Sequence, residues 1–445
     1  MNLTQRQLLH LHNRTEFFVH SYCISTSSNA EKAVDSIFNK QKNINITIEL
    51  PKWNFENHKN ISKSAKAELH KTWRKQSAHL SYLWINQMCE DDKSFTEKMT
   101  LFWHGHFACR TIDNPYLSLE MINILRENAL GNFKDILAKV SKSAAMIKYL
   151  HLKQNKKGQP NEDFARELCE LFTLGRDVDY TEKDITEIAR AFSGWQSDKE
   201  GNHFINERQF DDGEKTIFGK TGNFNGMDVL EMILDNRNTA KFIVSKVYKF
   251  FVEETLNSIH IEELTEVFYK SEYDISILMK HLFTQEWFYA SEGKLVKSPI
   301  DLIVGLGKMF DLNFKDEKSV FIAQHYLGQV LLDPPNVAGW AGGRQWIDSS
   351  RLAFRLRLGS LIINKGYIQD ELSPELDQMI SKAQKKKEFS FFEEINWNQF
   401  WKKNKNLTPY DLIIRTNNEQ LKSEYTTPEI KSVLQLISTP DFQLT

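Results

Sequence analysis

The chain has 445 residues, 41% hydrophobic and 26% charged, enough for one large or two medium hydrophobic cores in an ordinary soluble protein. With 57 Lys+Arg against 59 Asp+Glu, the formal net charge is -2, so no global field directs the chain to nucleic acid. No run of 18 apolar residues occurs, and no transmembrane helix is expected.

The N-terminus, MNLTQRQLLHLHNRTEFFVHSY, lacks the basic, apolar and small-residue segments of an export signal. The location read from sequence is therefore cytoplasmic. Further along, SFTEKMTLFWHGHF opens with Ser94 and Glu97 at capping-box spacing. ENALGNFKDILAKVSKSAAMIKYL places Phe133, Ile136, Leu137 and Val140 at helical intervals. PNEDFARELCELFTLG reads as a helix with Asn161 as N-cap, Gly175 as left-handed C-terminal cap, and Phe164, Leu168, Leu171 and Phe172 as its buried stripe. YTEKDITEIARAFSGW follows, with Thr181 as N-cap, Asp184 three residues on, and Ile185, Ile188, Ala189 and Phe192 facing inward.

Residues 196–226 are polar and glycine-rich and suggest a small hairpin or a long excursion. Helices resume in GMDVLEMIL, TAKFIVSKVYKFFV, DISILMKHLF and SPIDLIVGLGKMF. The prolines and glycines of DPPNVAGWAGGRQWIDSS then bar regular structure over 331–349. RLAFRLRLGSLIIN is one more helix, and the basic run KAQKKKEF from Lys382 reads as a solvated helix face. The expected fold is all-α: a large irregular helical globule with two long structured loops and at most a small β-hairpin. Residues 1–365 form the expected core domain, and 366–445 a polar helical extension packed on it. The scattered cysteines, Cys23, Cys89, Cys109 and Cys169, form no CxxC motif.

The blocks FWHGHF, NALGNF, PNEDFARELCELFTLG, YTEKDITEIARAFSGW, DDGEKTIFGKTG and PPNVAGWAGGRQWI together resemble the bacterial family catalogued as domain of unknown function 1800. The resemblance spans the chain. It implies a protein of the periplasm or cell envelope, encoded beside a second family whose fold resembles that of sulfatases and alkaline phosphatases. It implies no reaction. Relatives carry a histidine just before the DDG block, where this chain has Phe210.

Four constellations carry chemistry. His104 and His106 lie about 200° apart around a regular helix, so they do not chelate one metal as an HExxH pair does. The plain structural alternative has one histidine hydrogen-bonded in the core beside Trp103 and the other exposed. Glu162, Arg166 and Glu170 are spaced four apart, as in a surface ion-pair ladder. The catalytic alternative brings Glu167 and Glu170 to His104 or His106 from a facing helix, with Arg166 beside them.

In DDGEKTIFGKTG the glycine spacing is wrong for a Walker A loop. Asp211 is read as capping a turn or binding a cation, and Lys215 as presented to solvent or an anion. In PPNVAGWAGGRQWI, Trp340, Trp346 and Arg344 form either a binding surface or a plug over the core. No cofactor motif is evident, and a divalent metal is the one kind of cofactor left open. Three functions are consistent with these residues: a helical binding or scaffold partner of a sulfatase/phosphatase-like envelope protein, a metal-assisted enzyme built on His104, His106, Glu167 and Glu170, and a carbohydrate-binding module.

Overall fold

The computed structural model describes residues 1–24, 29–40, 45–50, 62–92, 94–176, 178, 180–312, 314, 316–363 and 394–445. The basic run from Lys382 and the boundary drawn at 365/366 lie outside the described residues. The fold is mostly helical. In chain order the helices are α1 (Gln5–Glu16), α2 (Ala30–Lys40), α3 (Lys63–Met88), α4 (Ser94–His106), α5 (Pro115–Glu127), α6 (Phe133–Lys142), α7 (Ala144–Tyr149), α8 (Asp163–Glu167) and α9 (Glu182–Ala191). They continue with α10 (Gly226–Asp235), α11 (Arg237–Phe251), α12 (Ser258–Lys270), α13 (Ile275–Phe283), α14 (Glu286–Tyr289), α15 (Pro299–Met309), α16 (Glu317–Leu327) and α17 (Ser349–Ile363). Four short helices, from Trp397 to Ile437, close the chain.

The 196–226 region holds two antiparallel hairpins where at most one was expected. Strand β1 (Trp195–Ser197) pairs with β2 (His203–Ile205), and β3 (Lys215–Ile217) with β4 (Lys220–Gly222). The second hairpin is pinned to α9, because the Glu187 carboxylate accepts the Thr216 N–H and Asp184 accepts that of Phe218. Asp184 also completes the capping box with Thr181.

Two other local expectations change. Ser143 splits the 133–149 run, ending α6 and capping α7 through the Met146 N–H. Past α8 the backbone winds as a π-helix over Leu168–Thr173. A π turn holds more residues than an α turn. Cys169 therefore joins the buried face and Leu171 is left half-buried.

Apolar packing forms two clusters. One gathers α1, α2, α6 and α9–α13; the other gathers α3, α15–α17 and the C-terminal helices. Helix α4 serves both. Phe95, Met99, Phe102 and Trp103, with Phe107 just past its end, enter the first cluster and Leu101 the second. Burying each such side chain contributes roughly 1.5–3 kcal/mol, so a helix covered nearly all round anchors the fold.

Candidate functional site

Because α4 is covered all round, its charged residues need internal partners. Glu97 does not act as the expected cap. It turns inward to Arg126, whose Nε and Nη2 donate to its two oxygens at 2.7 and 3.0 Å. Trp84 Nε1 and Gln87 Nε2 add bonds of 2.7 and 2.6 Å. The reason is electrostatic: a guanidinium without solvent requires an anionic partner.

Both histidines of FWHGHF are buried; neither is exposed. His104 Nε2 accepts the Leu332 N–H at 3.1 Å, so its proton sits on Nδ1. Its ring lies between the indoles of Trp84 and Trp340, with centroids at 5.3 and 5.5 Å. His106 Nε2 donates to the Phe172 carbonyl at 3.0 Å. This contact joins α4 to the π segment and fixes the opposite tautomer.

Burial pushes the His104 pKa down to about 4. Burial, with Lys246 nearby, pushes His106 down to about 3. Both imidazoles are therefore neutral in the folded protein, while the unfolded chain takes up protons near pH 6.5. A lowered base pKa makes the unfolded state the better proton binder, so this stabilisation is full above about pH 6.5 and is lost as pH falls toward 4. Each histidine is expected to remove ~2 kcal/mol of stability by pH 5. Urea unfolding at pH 7 and pH 5 measures this. His106→Gln should flatten the pH dependence, and an undiminished slope in that variant would refute the assignment.

The acidic stripe is a surface network. Arg166 bonds Glu162 at 3.0 Å and Glu182 at 2.7 Å, and lies 3.6 Å from Glu170. Glu170 also pairs with Arg176 at 3.1 Å. Glu167 is half-buried, and burial followed by Glu170 raises its pKa. His106 thus reaches this segment at a backbone carbonyl. Among the described residues, no group of three or more His, Cys, Asp or Glu is arranged to hold a metal.

Asp211 accepts from Arg190 Nε and Nη2 at 2.8 and 3.2 Å and from the Gly213 N–H at 3.0 Å. Lys215 is not presented to solvent. Its buried ammonium donates to the Asp211 and Gly213 carbonyls at 2.6 and 2.8 Å, over the Phe210 ring.

The second loop is held along its length. At its start, Leu332 adopts φ +69°, a strained conformation for a side chain of that size. Both its backbone groups are engaged: its N–H bonds His104, and its carbonyl accepts from Thr111 and Ile112 at 3.0 Å each. Asp333 pairs with Arg110 at 2.6 Å. Gly339, at φ +76°, packs on the Gly105 carbonyl so closely that a Cβ there would lie 2.4 Å from the oxygen.

At the far end Glu254 accepts the Arg344 N–H at 3.0 Å, an approach that the absent side chain of Gly343 permits. Trp346 is buried and Trp340 half-buried. Arg344 is exposed, and its guanidinium has no partner among the described residues. It lines a recess of about 610 Å³ with Glu253, Glu254, Lys294 and Leu444; neither tryptophan lines it. Sequence reasoning missed this recess because it joins segments that are far apart in the chain.

Fold and site together define a mostly helical protein that displays a rigid, glycine-built loop from a helix of neutral, buried histidines. The chain belongs to the family described as protein of unknown function (DUF1800), whose model matches residues 10–444. No curated protein and no solved structure matches it. No described helix is long and apolar enough to cross a membrane.

Proposed function

We propose that the chain is a helical binding or scaffold protein that engages a partner through the 331–349 loop, with Arg344 as the recognition group. One observation carries the reading. The loop holds a strained Leu332 and is tied down at Leu332 by His104 and at the Arg344 N–H by Glu254, yet it carries an exposed guanidinium that has no partner among the described residues. Strain kept in place by surrounding contacts is typical of sites that need a preset shape. A preset loop loses little entropy on binding, and a guanidinium offers a planar fork to a carboxylate.

The proposed partner is the sulfatase/alkaline-phosphatase-like protein encoded beside family members, and its contact group is an exposed Asp or Glu. The metal-assisted reading has less support, since each imidazole is sealed in packing and hydrogen-bonded to the backbone. The glycan reading needs an open indole face, whereas Trp346 is buried and Trp340 lies against His104.

The test is binding of the purified chain to the neighbouring-gene product by surface plasmon resonance. Arg344→Ala is expected to weaken the complex about tenfold or more, with the melting temperature unchanged because the side chain is exposed. Equal affinity for wild type and variant, or no complex at all, would overturn the reading.

A further inference from the structure

We propose that the cleft between α5, α7 and the first hairpin binds a small organic anion with an apolar body, held by Lys148 and Lys153. This site is separate from the Arg344 loop and does not rest on it. The cleft measures about 500 Å³, within the usual range for small-molecule sites. Tyr116 and Leu117, at the start of α5, and Ala144, at the start of α7, give it an apolar wall. The hairpin turn at residues 198–202 forms the opposite side.

Three lysines, Lys148, Lys153 and Lys199, and three carboxylates line the cleft, and hydrogen bonding is what separates the two sets. The two carboxylates that line the cleft walls are already occupied. Both Glu120 oxygens accept backbone N–H groups at the head of α7, from Ala144 at 3.0 Å and Ala145 at 3.2 Å. Asp198 closes its own turn, accepting the Glu200 and Asn202 N–H groups at 2.9 and 2.8 Å and the Asn202 side chain at 3.0 Å. A third, Glu200, is exposed at the rim.

The lysines are not satisfied in the same way. Lys148 makes no hydrogen bond or ion pair among the described residues. Lys153 gives one of its three donors to the Ser197 carbonyl at 3.0 Å. Burial and then Lys148 lower the Lys153 pKa, against an opposing pull from Asp198. Ammonium groups with spare donors, set beside wall carboxylates whose oxygens already accept N–H groups, suit an anionic head group.

The walls are held in place before any ligand arrives. Glu120 and the Ser143 hydroxyl fix the first turn of α7, and Asp198 fixes the hairpin turn. The ligand class is therefore a carboxylate or phosphate monoester on an aliphatic or aromatic body of moderate size. The lysines hold the head group, and Tyr116 and Leu117 cover the body.

Titration calorimetry of the full chain with octanoate, octyl phosphate and octanol tests this. At least one of the two anions should bind about tenfold or more tighter than octanol, the increment of one charge-assisted contact. The ratio of the two anions identifies the head group. Lys148→Gln and Lys153→Gln should each weaken that anion severalfold, and the double variant should abolish binding at unchanged melting temperature. The proposal is overturned if no probe binds at millimolar concentration, if octanol matches the anions, or if the double variant binds like wild type.

Discussion

Arg126→Ala is expected to destabilise the protein by about 3–5 kcal/mol. The guanidinium holds Glu97 through two bonds, and both side chains are almost fully buried. Removing it leaves a carboxylate out of reach of water, with only Trp84 and Gln87 as donors. Most of the effect comes from this orphaned charge rather than from the lost attraction. Denaturant unfolding at pH 7 measures the loss. In the double variant Glu97→Gln/Arg126→Met the orphaned charge is gone, and a large part of the stability should return. If Arg126→Ala alone falls within 1 kcal/mol of wild type, the pair does not anchor α4.

Gly339→Ala is expected to cost about 3 kcal/mol, from left-handed backbone strain together with a backbone overlap. The added Cβ would meet the Gly105 carbonyl oxygen at 2.4 Å, and a carbonyl in a buried helix has no room to yield. Gly219→Ala is the internal control. Its φ of +76° equals that of Gly339, but nothing lies within 4 Å of the added carbon, so it carries the backbone strain alone, about 1–2 kcal/mol. The Gly339 variant should also loosen Trp340 from His104, which tryptophan fluorescence reads. Equal losses in the two variants would show that the contact with α4 is unimportant.

Features that depend on neighbours in sequence were legible. The capping box of Thr181 and Asp184, the bond from the Asp163 N–H to Asn161, and the left-handed Gly175 all form within a few residues. Proline and glycine content marked the second loop for the same reason. Features set by distant partners were not. Glu97 matches a capping box locally, yet its partner Arg126 is 29 residues away. His104 is decided by a backbone N–H 228 residues on. The Lys148–Lys153 cleft needs a hairpin turn for one wall, so helical periodicity alone does not reveal it. The π winding after α8 has no simple pattern of residue types, and it moved Cys169 inward where Leu171 was expected.

The covering of α4 has a consequence for how the chain is made. Its last partners are supplied late: Asp301 for Lys98, Lys308 for the Ser94 hydroxyl, and Leu332 for His104, separated by 203, 214 and 228 residues. At a ribosomal pace of roughly 5–20 residues per second, the central helix waits on the order of 10–45 s for them. Through that interval the nascent polypeptide carries α4 without its contacts at Lys98, Ser94 and His104. Slow, late closure of the core also follows from such long loops. Yield in recombinant expression should therefore respond to temperature and translation speed more than to the stability of the finished molecule.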